Sequence, residues 1–560
     1  MPAPVAPIVS ATAPTPDPRV GLAAGYWDAA QAAWNMRLVS NAPPSEKFIG
    51  ATNSDLAFTG KYVVQGNYNG FQVFDISNPG APKMVLAYLC PASQSDVSVY
   101  ENLLFVSGEG QTGRLDCGIQ GVPEPVSKDR LRGIRIFDIS DIASPKYVTN
   151  VQTCRGSHTH TVVTDPSDKA NVYIYVSGSS RVRSAEELPG CQDGPIEDPN
   201  SARFRLEVIR VPVADPAKAA IVTSPRVFND LAPPPQRVEA PEPDRPARPA
   251  RTPSGPNQCH DITAYPDLGL AGGACGGYGL LLDIREVAHP IRIDAAADMN
   301  MSFWHSATFN NDGTKILFSD EWGGGSQPRC RDTDKPEWGA NALFTLENGK
   351  MTFKSYYKMP AVQTSTENCV AHNGSMIPIP GRDVMVQGWY QGGISVFDWT
   401  DVSHPKEIAY FDRGPVNAER LISGGSWSVY WYNGLIVSSE IARGLDIFEL
   451  VPSGLISQNE LDAAKTVQFT YLNAQEQRKM VWPPSFALAR AYVDQIERAS
   501  ALAPGRIKTL RADLQAAENA GGSARRAALS KIASALKTDA ASSSDAAKVR
   551  MLAMTVTELR

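Results

Sequence analysis

Short stretches in which apolar and polar residues alternate recur along most of the chain, and a turn containing glycine or proline follows each of them. Alternation with a period of two is typical of β-strands. One phrase, an alternating strand followed by a turn that contains proline, occurs clearly four times. The copies are FQVFDISNPGAP from Phe71, IRIFDISDIASP from Ile134, LLLDIREVAHP from Leu280 and ISVFDWTDVSHP from Ile394. Weaker copies begin at Leu206, Ala342 and Leu445, which brings the count to seven.

Seven similar units of short antiparallel strands predict an all-β, seven-bladed β-propeller over residues 36–455. A propeller has to pair its first and last blades, because an open ring would leave two exposed sheet edges. The run MRLVSNAPPS from Met36 is similar to the outer-strand run MVLAYLCPAS from Met84. We therefore expect residues 36–42 to supply the outer strand of the last blade.

The repeated phrase resembles the LVIVD repeat of secreted bacterial β-propellers, and the resemblance extends over about residues 36–455. The chain is more distantly similar to the selenium-binding-protein-like methanethiol oxidases, which are also propellers with histidines in the channel. Both resemblances imply a propeller fold, and the second implies chemistry at channel histidines.

The regions outside the repeats differ from them in composition. Residues 1–35 form an N-terminal extension, and residues 225–257 form a proline-rich insertion that is either a loop or a partner-binding arm. Residues 456–560 are predicted to form a C-terminal α-helical appendage, because apolar residues recur there at helical spacing. The predicted helical segments are Ser485–Leu502, Gly505–Ala520, Ser523–Leu536 and Asp545–Arg560. These helices are candidates for contact with cell wall or with another protein.

Composition and charge exclude several classes of partner. Apolar residues make up 42% of the chain and the net charge is −6. The absence of a basic stripe with interleaved aromatics argues against nucleic-acid binding, and no apolar run is long enough for a transmembrane helix. Residues 1–19 lack the basic and apolar segments of a signal peptide, so we expect no intact signal peptide here.

Histidines concentrate at one position of the repeat. In a propeller the innermost strands line the central channel, so equivalent residues of different blades converge there. The equivalent residues are Asp55, Asp96, His160, His260, His305, His372 and Trp427. The chain holds only seven histidines, and four of them fall at this position. Because neutral imidazoles bind copper, iron or zinc, we predict a transition-metal site formed by these histidines, with His158 as an alternative to His160.

Carboxylates follow the second strand of three units, at Glu109, Glu321 and Glu440. We expect them to accept hydrogen bonds from the metal-binding imidazoles, as outer glutamates do in the carotenoid-cleaving propellers that this arrangement resembles. Asp55 and Asp96 are candidates for a general base, and they could equally cap neighbouring strands. The alternative for the histidines is hydrogen bonding to water or backbone in a polar channel.

The other histidines and several tryptophans have simpler explanations than metal binding. His289 and His404 lie in turns at the opposite end of their blades, where we expect exposure to solvent. Four tryptophans near the same rim are candidates either for an apolar wall of a substrate site or for the blade cores. They are Trp304, Trp322, Trp389 and Trp427.

The eight cysteines alternate between segments that lead into an inner strand and loops that follow a second strand. Sequential pairing would tie these loops together around one mouth of the channel. The predicted disulfides are Cys90–Cys117, Cys154–Cys191, Cys259–Cys275 and Cys330–Cys369. Four disulfides favour a secreted or periplasmic protein. A thiolate metal site at Cys259 and Cys369 is the alternative, although the chain contains no CxxC pair.

Two functions fit these observations. The first is a secreted metalloenzyme that acts on a small molecule, with oxidoreductase favoured over hydrolase and a multi-histidine site at the channel mouth. The second is a non-catalytic extracellular or cell-surface binding propeller, since the fold alone permits either. A serine hydrolase is disfavoured because the chain has no GxSxG motif.

Overall fold

A computed structural model describes residues 3–235 and 256–560 of the chain. The described residues form seven antiparallel β-sheets, which are the seven blades of a propeller, followed by C-terminal helices. The predicted fold class is therefore confirmed. Most of the predicted insertion at residues 225–257 lies outside the described residues.

Within the described residues, thirty strands build the blades, and each blade uses consecutive strands for its inner three positions. Two N-terminal strands are β1 (Gln31–Trp34) and β2 (Met36–Ala42). Blade 1 contains β3 (Asn53–Thr59), β4 (Tyr62–Asn67), β5 (Gly70–Asp75) and β6 (Lys83–Leu89). Blade 2 contains β7 (Val97–Tyr100), β8 (Leu103–Gly108), β9 (Gly133–Asp138) and β10 (Lys146–Gln152). Blade 3 contains β11 (Thr161–Asp165), β12 (Asp168–Val176), β13 (Glu207–Pro212) and β14 (Ala220–Thr223).

The remaining blades repeat this order. Blade 4 contains β15 (Cys259–Tyr265), β16 (Leu270–Cys275), β17 (Tyr278–Asp283) and β18 (Ile291–Ala296). Blade 5 contains β19 (Trp304–Phe309), β20 (Lys315–Asp320), β21 (Asn341–Glu347) and β22 (Lys350–Tyr357). Blade 6 contains β23 (Gly374–Ile377), β24 (Val384–Gly388), β25 (Ile394–Asp398) and β26 (Lys406–Arg413). Blade 7 contains β27 (Ser426–Tyr432), β28 (Leu435–Glu440) and β29 (Gly444–Leu450).

The repeated phrase forms the third strand of a blade and the turn after it. Its aspartate accepts a hydrogen bond from the backbone N–H two residues later, at 2.9 Å for Asp75, 2.8 Å for Asp138 and 2.8 Å for Asp398. Such a turn, stabilised by the aspartate itself, ends the strand and reverses the chain. The repeat thus specifies locally where the third strand of a blade ends and where the chain turns towards the outer strand.

The N-terminal strands close the ring. β2 pairs with β29 and becomes the outer strand of blade 7, so the predicted role of residues 36–42 is confirmed. β1 adds a fifth strand to blade 6 by pairing with β26. Upstream of β1, the buried guanidinium of Arg19 donates to Glu407 of β26 at 3.0 and 2.8 Å. The described part of the extension, residues 3–35, is therefore bound to the propeller along blade 6.

Apolar side chains fill the space between neighbouring blades. Val163 and Val208 of blade 3, for example, pack with Leu280 and Leu282 of blade 4. The first strands of adjacent blades contact one another, which places them around the central channel. Residues at the start of each blade's first strand therefore supply the side chains that line the channel.

The C-terminal region crosses the channel before it forms a helical bundle. After α1 (Gln458–Ala464), β30 (Tyr471–Asn473) pairs with the inner strand β3 of blade 1. We call residues 471–480 the crossing segment. It next contacts the inner strands of blades 2 to 5, through hydrogen bonds with Val99, Thr164, Ala264 and Phe309. It thereby spans one end of the channel.

The remaining helices pack together against blade 6. They are α2 (Phe486–Arg498), α3 (Pro504–Asn519), α4 (Gly522–Ser542) and α5 (Ala546–Glu558), close to the predicted segments. Buried Glu460 of α1 accepts hydrogen bonds from Arg382 of blade 6 at 2.9 Å and from Arg498 of α2 at 2.5 Å. None of the described helices is long and apolar enough to span a membrane.

Candidate functional site

The residues predicted to line the channel lie either just before the inner strand of their blade or at an irregularity near its start. The pairing of β15 with β16 shifts register between Cys259 and Ile262, and that of β19 with β20 shifts between Trp304 and Ala307. His260 and His305 lie within these two shifts. Such irregularities redirect side chains that a regular strand would hold in strict alternation.

Four imidazole rings form a continuous row along one side of the channel. The ring centroids lie 4.6 Å apart for His158 and His260, 4.0 Å for His260 and His305, and 4.1 Å for His305 and His372. The row ends at Trp427, whose ring lies 5.2 Å from that of His372. The member from blade 3 is therefore His158, the alternative that the sequence left open, rather than His160.

Three rings of this row have their Nδ1 atoms hydrogen-bonded to an oxygen. His260 Nδ1 lies 2.9 Å from Oδ1 of Asp261, His372 Nδ1 contacts the carbonyl oxygen of Trp427, and His158 Nδ1 contacts Oε1 of Glu109. A neutral imidazole that donates from Nδ1 carries its lone pair on Nε2. These partners thus leave each Nε2 free to bind a metal ion.

Glu321 lies between two of the histidines. Its carboxylate oxygens are 3.8 Å from His305 Nε2 and 3.7 Å from His372 Nε2, and the hydroxyl of Tyr390 donates to Oε1 at 2.5 Å. Burial raises the pKa of Glu321, and the hydrogen bond from Tyr390 opposes that rise. His260, His305 and Glu321 offer ligand atoms that all lie within 4.8 Å of one another. Glu321 is thus close enough to bind a metal directly, beyond its predicted outer role.

Two histidines of the row are neutral at ordinary pH. Burial lowers the pKa of His372 to about 3, and burial together with the neighbouring histidines lowers the pKa of His305 well below its usual value. Among the described residues, His305 Nδ1 and His372 Nε2 are buried and have no hydrogen-bond partner. The unpaired Nε2 of His372 is the one that lies beside the carboxylate of Glu321, so this part of the row is an incompletely satisfied polar cluster.

His158 and Glu109 form a separate pair on the cavity wall. Glu109 also accepts a hydrogen bond from Ser179 at 2.7 Å. Burial by itself would lower the pKa of His158, but the hydrogen bond and charge of Glu109 outweigh burial and raise it. Glu109 therefore has the imidazole-orienting position that the sequence predicted for it.

Asp55, Asp96 and His160 lie together in a different part of the channel. Asp55 accepts hydrogen bonds from Tyr430 at 2.6 Å and from Gln475 of the crossing segment at 3.0 Å. Asp96 Oδ2 accepts from the backbone of His160 at 3.0 Å and lies 3.2 Å from its Nδ1. His160 Nδ1 also lies 2.8 Å from the hydroxyl of Ser107, while its Nε2 is buried without a partner. The proposed ligand role of His160 and the catalytic role of the two aspartates stay predictions.

The two aspartates are electrostatically coupled. Burial, and then the negative charge of Asp96, raise the pKa of Asp55 to about 7. Burial, and then the negative charge of Asp261, raise the pKa of Asp96 to about 7. The pair consequently holds a proton near neutral pH.

A cavity of about 680 Å³ opens beside the histidine row. Its wall contains His158, His260, His372 and Glu321, together with a set of aromatic side chains. These aromatics are Tyr68, Phe303, Trp304, Tyr390 and Trp427. Trp304 and Trp427 thus line the wall of a candidate substrate site, which was one of the two predicted positions for the four tryptophans; the other was a blade core.

Several other residues predicted for the site lie away from the histidine row. Glu440 accepts hydrogen bonds from Arg443 at 2.9 Å and from the backbone of Gly425 at 2.8 Å, rather than from a histidine, so its expected role is wrong. Trp389 is fully buried in a blade core, and Trp322 packs against Trp338 at 4.6 Å. His289 and His404 are exposed, as predicted.

All four predicted disulfides are present: Cys90–Cys117, Cys154–Cys191, Cys259–Cys275 and Cys330–Cys369. The described chain has no free cysteine, so the alternative of a thiolate metal site is wrong for these residues. Cys259 directly precedes His260 and lines the cavity. Four disulfides suggest an extracellular or periplasmic protein.

Sequence reasoning missed Asp261, Tyr390, Tyr68 and Phe303. Asp261 follows His260 directly, and a regular strand would have placed the two on opposite faces. The exposed aromatics Tyr68 and Phe303 lie outside the repeated phrase. A usable signal was the position of Phe303 two residues before His305, next to the start of an inner strand.

Comparison with known proteins supports the repeat. The LVIVD repeat model matches residues 50–90, and no curated protein matches the chain. The similarity to selenium-binding-protein-like methanethiol oxidases stays a prediction.

Solved structures with a similar fold share little sequence with this chain. A 6-phosphogluconolactonase described as putative, from Bacteroides fragilis, is 10% identical with a TM-score of 0.40, covering 71% of this chain and 89% of its own. The periplasmic gluconolactonase of Pseudomonas aeruginosa is 12% identical with a TM-score of 0.41, covering 70% and 89%. The Cps50 propeller domain of Myceliophteria thermophila is 10% identical with a TM-score of 0.38, covering 72% and 100%. These values carry no inference about activity.

Proposed function

We propose that the protein is a transition-metal-dependent propeller enzyme, with a metal ion held by His260, His305, His372 and Glu321. The observation that carries this proposal is that the Nε2 atoms of His305 and His372 lie 3.8 and 3.7 Å from the carboxylate oxygens of buried Glu321. Of these two atoms, His372 Nε2 is buried and has no hydrogen-bond partner among the described residues. A buried polar atom without a partner costs about 1–3 kcal/mol. A metal ion bound to His372 Nε2 would remove that cost.

The donor set fits a first-row transition metal. Imidazole nitrogens suit copper, iron or zinc, and a carboxylate oxygen completes such sites. The hydrogen bonds from His260 to Asp261 and from His372 to the Trp427 carbonyl orient these rings and increase their basicity. His158 at the end of the row is either a further ligand or a neighbouring base.

We favour an oxidoreductase over a hydrolase. Bound copper or iron would supply oxidation chemistry, whereas zinc would activate water for hydrolysis. His372 and Glu321 line the cavity, so a small-molecule substrate bound there would lie next to the metal. On the cavity wall, the His158–Glu109 pair is placed to hold or accept a proton from a small-molecule substrate.

The decisive experiment measures metal content. The full chain is purified, incubated separately with copper, iron and zinc salts, dialysed, and analysed by elemental mass spectrometry. We expect about one bound transition-metal ion per chain in the wild type. His260→Ala and His305→Ala should reduce this occupancy to background, because each removes a nitrogen ligand.

The matched control is His404→Ala, which removes an exposed histidine that also contacts an aspartate, Asp401, at 2.9 Å. This variant should keep the wild-type occupancy. Absence of stoichiometric metal from the wild type, or equal occupancy in all variants, would overturn the proposal and favour a non-catalytic binding propeller.

A further inference from the structure

Aromatic side chains flank the histidine row on both sides of the cavity. Phe303 lies against His260, with ring centroids 5.7 Å apart, and Trp427 lies against His372 at 5.2 Å. Tyr68 extends the second side, 6.4 Å from Trp427. Tyr68 and Phe303 are 39% and 37% exposed although both line the cavity. Their rings therefore keep apolar surface in water that a ligand could cover.

The charge of the wall restricts the ligand further. Among the described residues that line the cavity, no lysine or arginine occurs, and the acidic side chains are Glu109 and Glu321. Recognition of a phosphate normally uses arginine, lysine or a helix N-terminus. While the site holds no metal ion, two carboxylates without a lysine or arginine repel a multiply charged anion. The metal-free cavity therefore disfavours phosphorylated ligands, whereas a bound metal ion would add a positive charge of its own.

We propose that this cavity binds an uncharged aromatic molecule, whose ring lies between Phe303 on one side and Tyr68 with Trp427 on the other. The inference rests on the proposed function insofar as it takes this cavity to be the substrate site. The cavity volume of about 680 Å³ accommodates a ligand of one or two rings. The histidine row then faces the bound ring.

The test compares two ligands that differ in one charged group. Binding of 1-naphthol and of 1-naphthyl phosphate to the purified full chain is measured by isothermal titration calorimetry, with and without added metal. In the absence of metal, we expect 1-naphthol to bind at least about tenfold more tightly than the phosphate ester. Phe303→Ala and Tyr68→Ala should each weaken naphthol binding about fivefold, because each removes one aromatic contact.

Phe353→Ala is the matched control, since Phe353 is 42% exposed but lies on β22, away from the cavity. It should leave naphthol binding unchanged. Phe303→Leu keeps an apolar side chain, so its intermediate affinity would separate the loss of the ring from a loss of folding. Tighter binding of the phosphate ester to the metal-free protein, or no effect of Phe303→Ala, would overturn the inference.

Metal content measured on the same samples separates this inference from the proposed function. Naphthol binding without stoichiometric metal would support the aromatic site and refute the metal site. Metal binding without naphthol binding would support the metal site and refute the aromatic site.

Discussion

The two sides of the channel carry different residues at the same repeat position. On the histidine side, His305 and His372 each have a buried nitrogen without a partner among the described residues, and the row borders the cavity. On the acidic side, Asp55 receives hydrogen bonds from Tyr430, Gln475 and its neighbour's backbone. The crossing segment thus helps to satisfy Asp55 from within the protein, whereas the histidine side has room for a ligand.

The difference teaches that the repeat determines where a channel side chain lies. Segments outside the repeat determine which hydrogen-bond partners that side chain finds. Gln475 belongs to the crossing segment, and its side-chain amide donates to Asp55 on the acidic side. The histidine side borders the cavity instead. We therefore expect substitutions on the acidic side to change stability, and substitutions on the histidine side to change metal binding.

The largest expected effect is on the pH dependence of stability at Asp55. Burial and then the charge of Asp96 raise its pKa to about 7, compared with about 3.9 in an unfolded chain. Folding therefore binds a proton, so the stability from this group is complete below about pH 4 and is lost as the pH rises through about 7. Asp55→Asn should gain about 2–3 kcal/mol relative to the wild type between about pH 5 and pH 8.

The measurement is denaturant unfolding of both proteins at the two pH values, with disulfides intact. Asp129→Asn is the control, because the Asp129 side chain is 68% exposed; its difference from the wild type should stay constant. A constant difference for Asp55→Asn as well would mean that the buried pair does not hold a proton.

The sequence predicted the blades and three of the four histidines in the row because both depend on the repeat. His260, His305 and His372 occupy equivalent positions in successive inner strands, so their convergence followed from the fold. The choice between His158 and His160 did not follow, because both precede β11 and lie in irregular backbone where strand alternation fails. The crossing segment was also missed, since it is unrelated to the repeat and its contacts are all distant in sequence.

The next effect concerns Asp261, which orients His260. Asp261→Asn keeps the shape of the side chain but removes its charge, so the imidazole becomes a weaker ligand. We expect metal affinity, measured by competition with a chelator, to fall about tenfold. This is at the lower end of the loss seen when a residue that hydrogen-bonds to a metal ligand is replaced. Asp401→Asn removes the same contact from the exposed His404 and should leave affinity unchanged. Equal effects of the two variants would exclude His260 from the site.

The smallest expected effects separate two buried tyrosines, each of which donates to a carboxylate on one side of the channel. Tyr430 donates to Asp55 at 2.6 Å and Tyr390 to Glu321 at 2.5 Å. Tyr430→Phe should lower the free energy of unfolding by about 1 kcal/mol and leave metal affinity unchanged. Tyr390→Phe should change metal affinity, because it frees an oxygen of the carboxylate that the proposal assigns to the metal. Unfolding and chelator competition measured on both variants test this contrast. If both variants lose stability alone, the two sides of the channel do not differ in function, and the histidine row is structural.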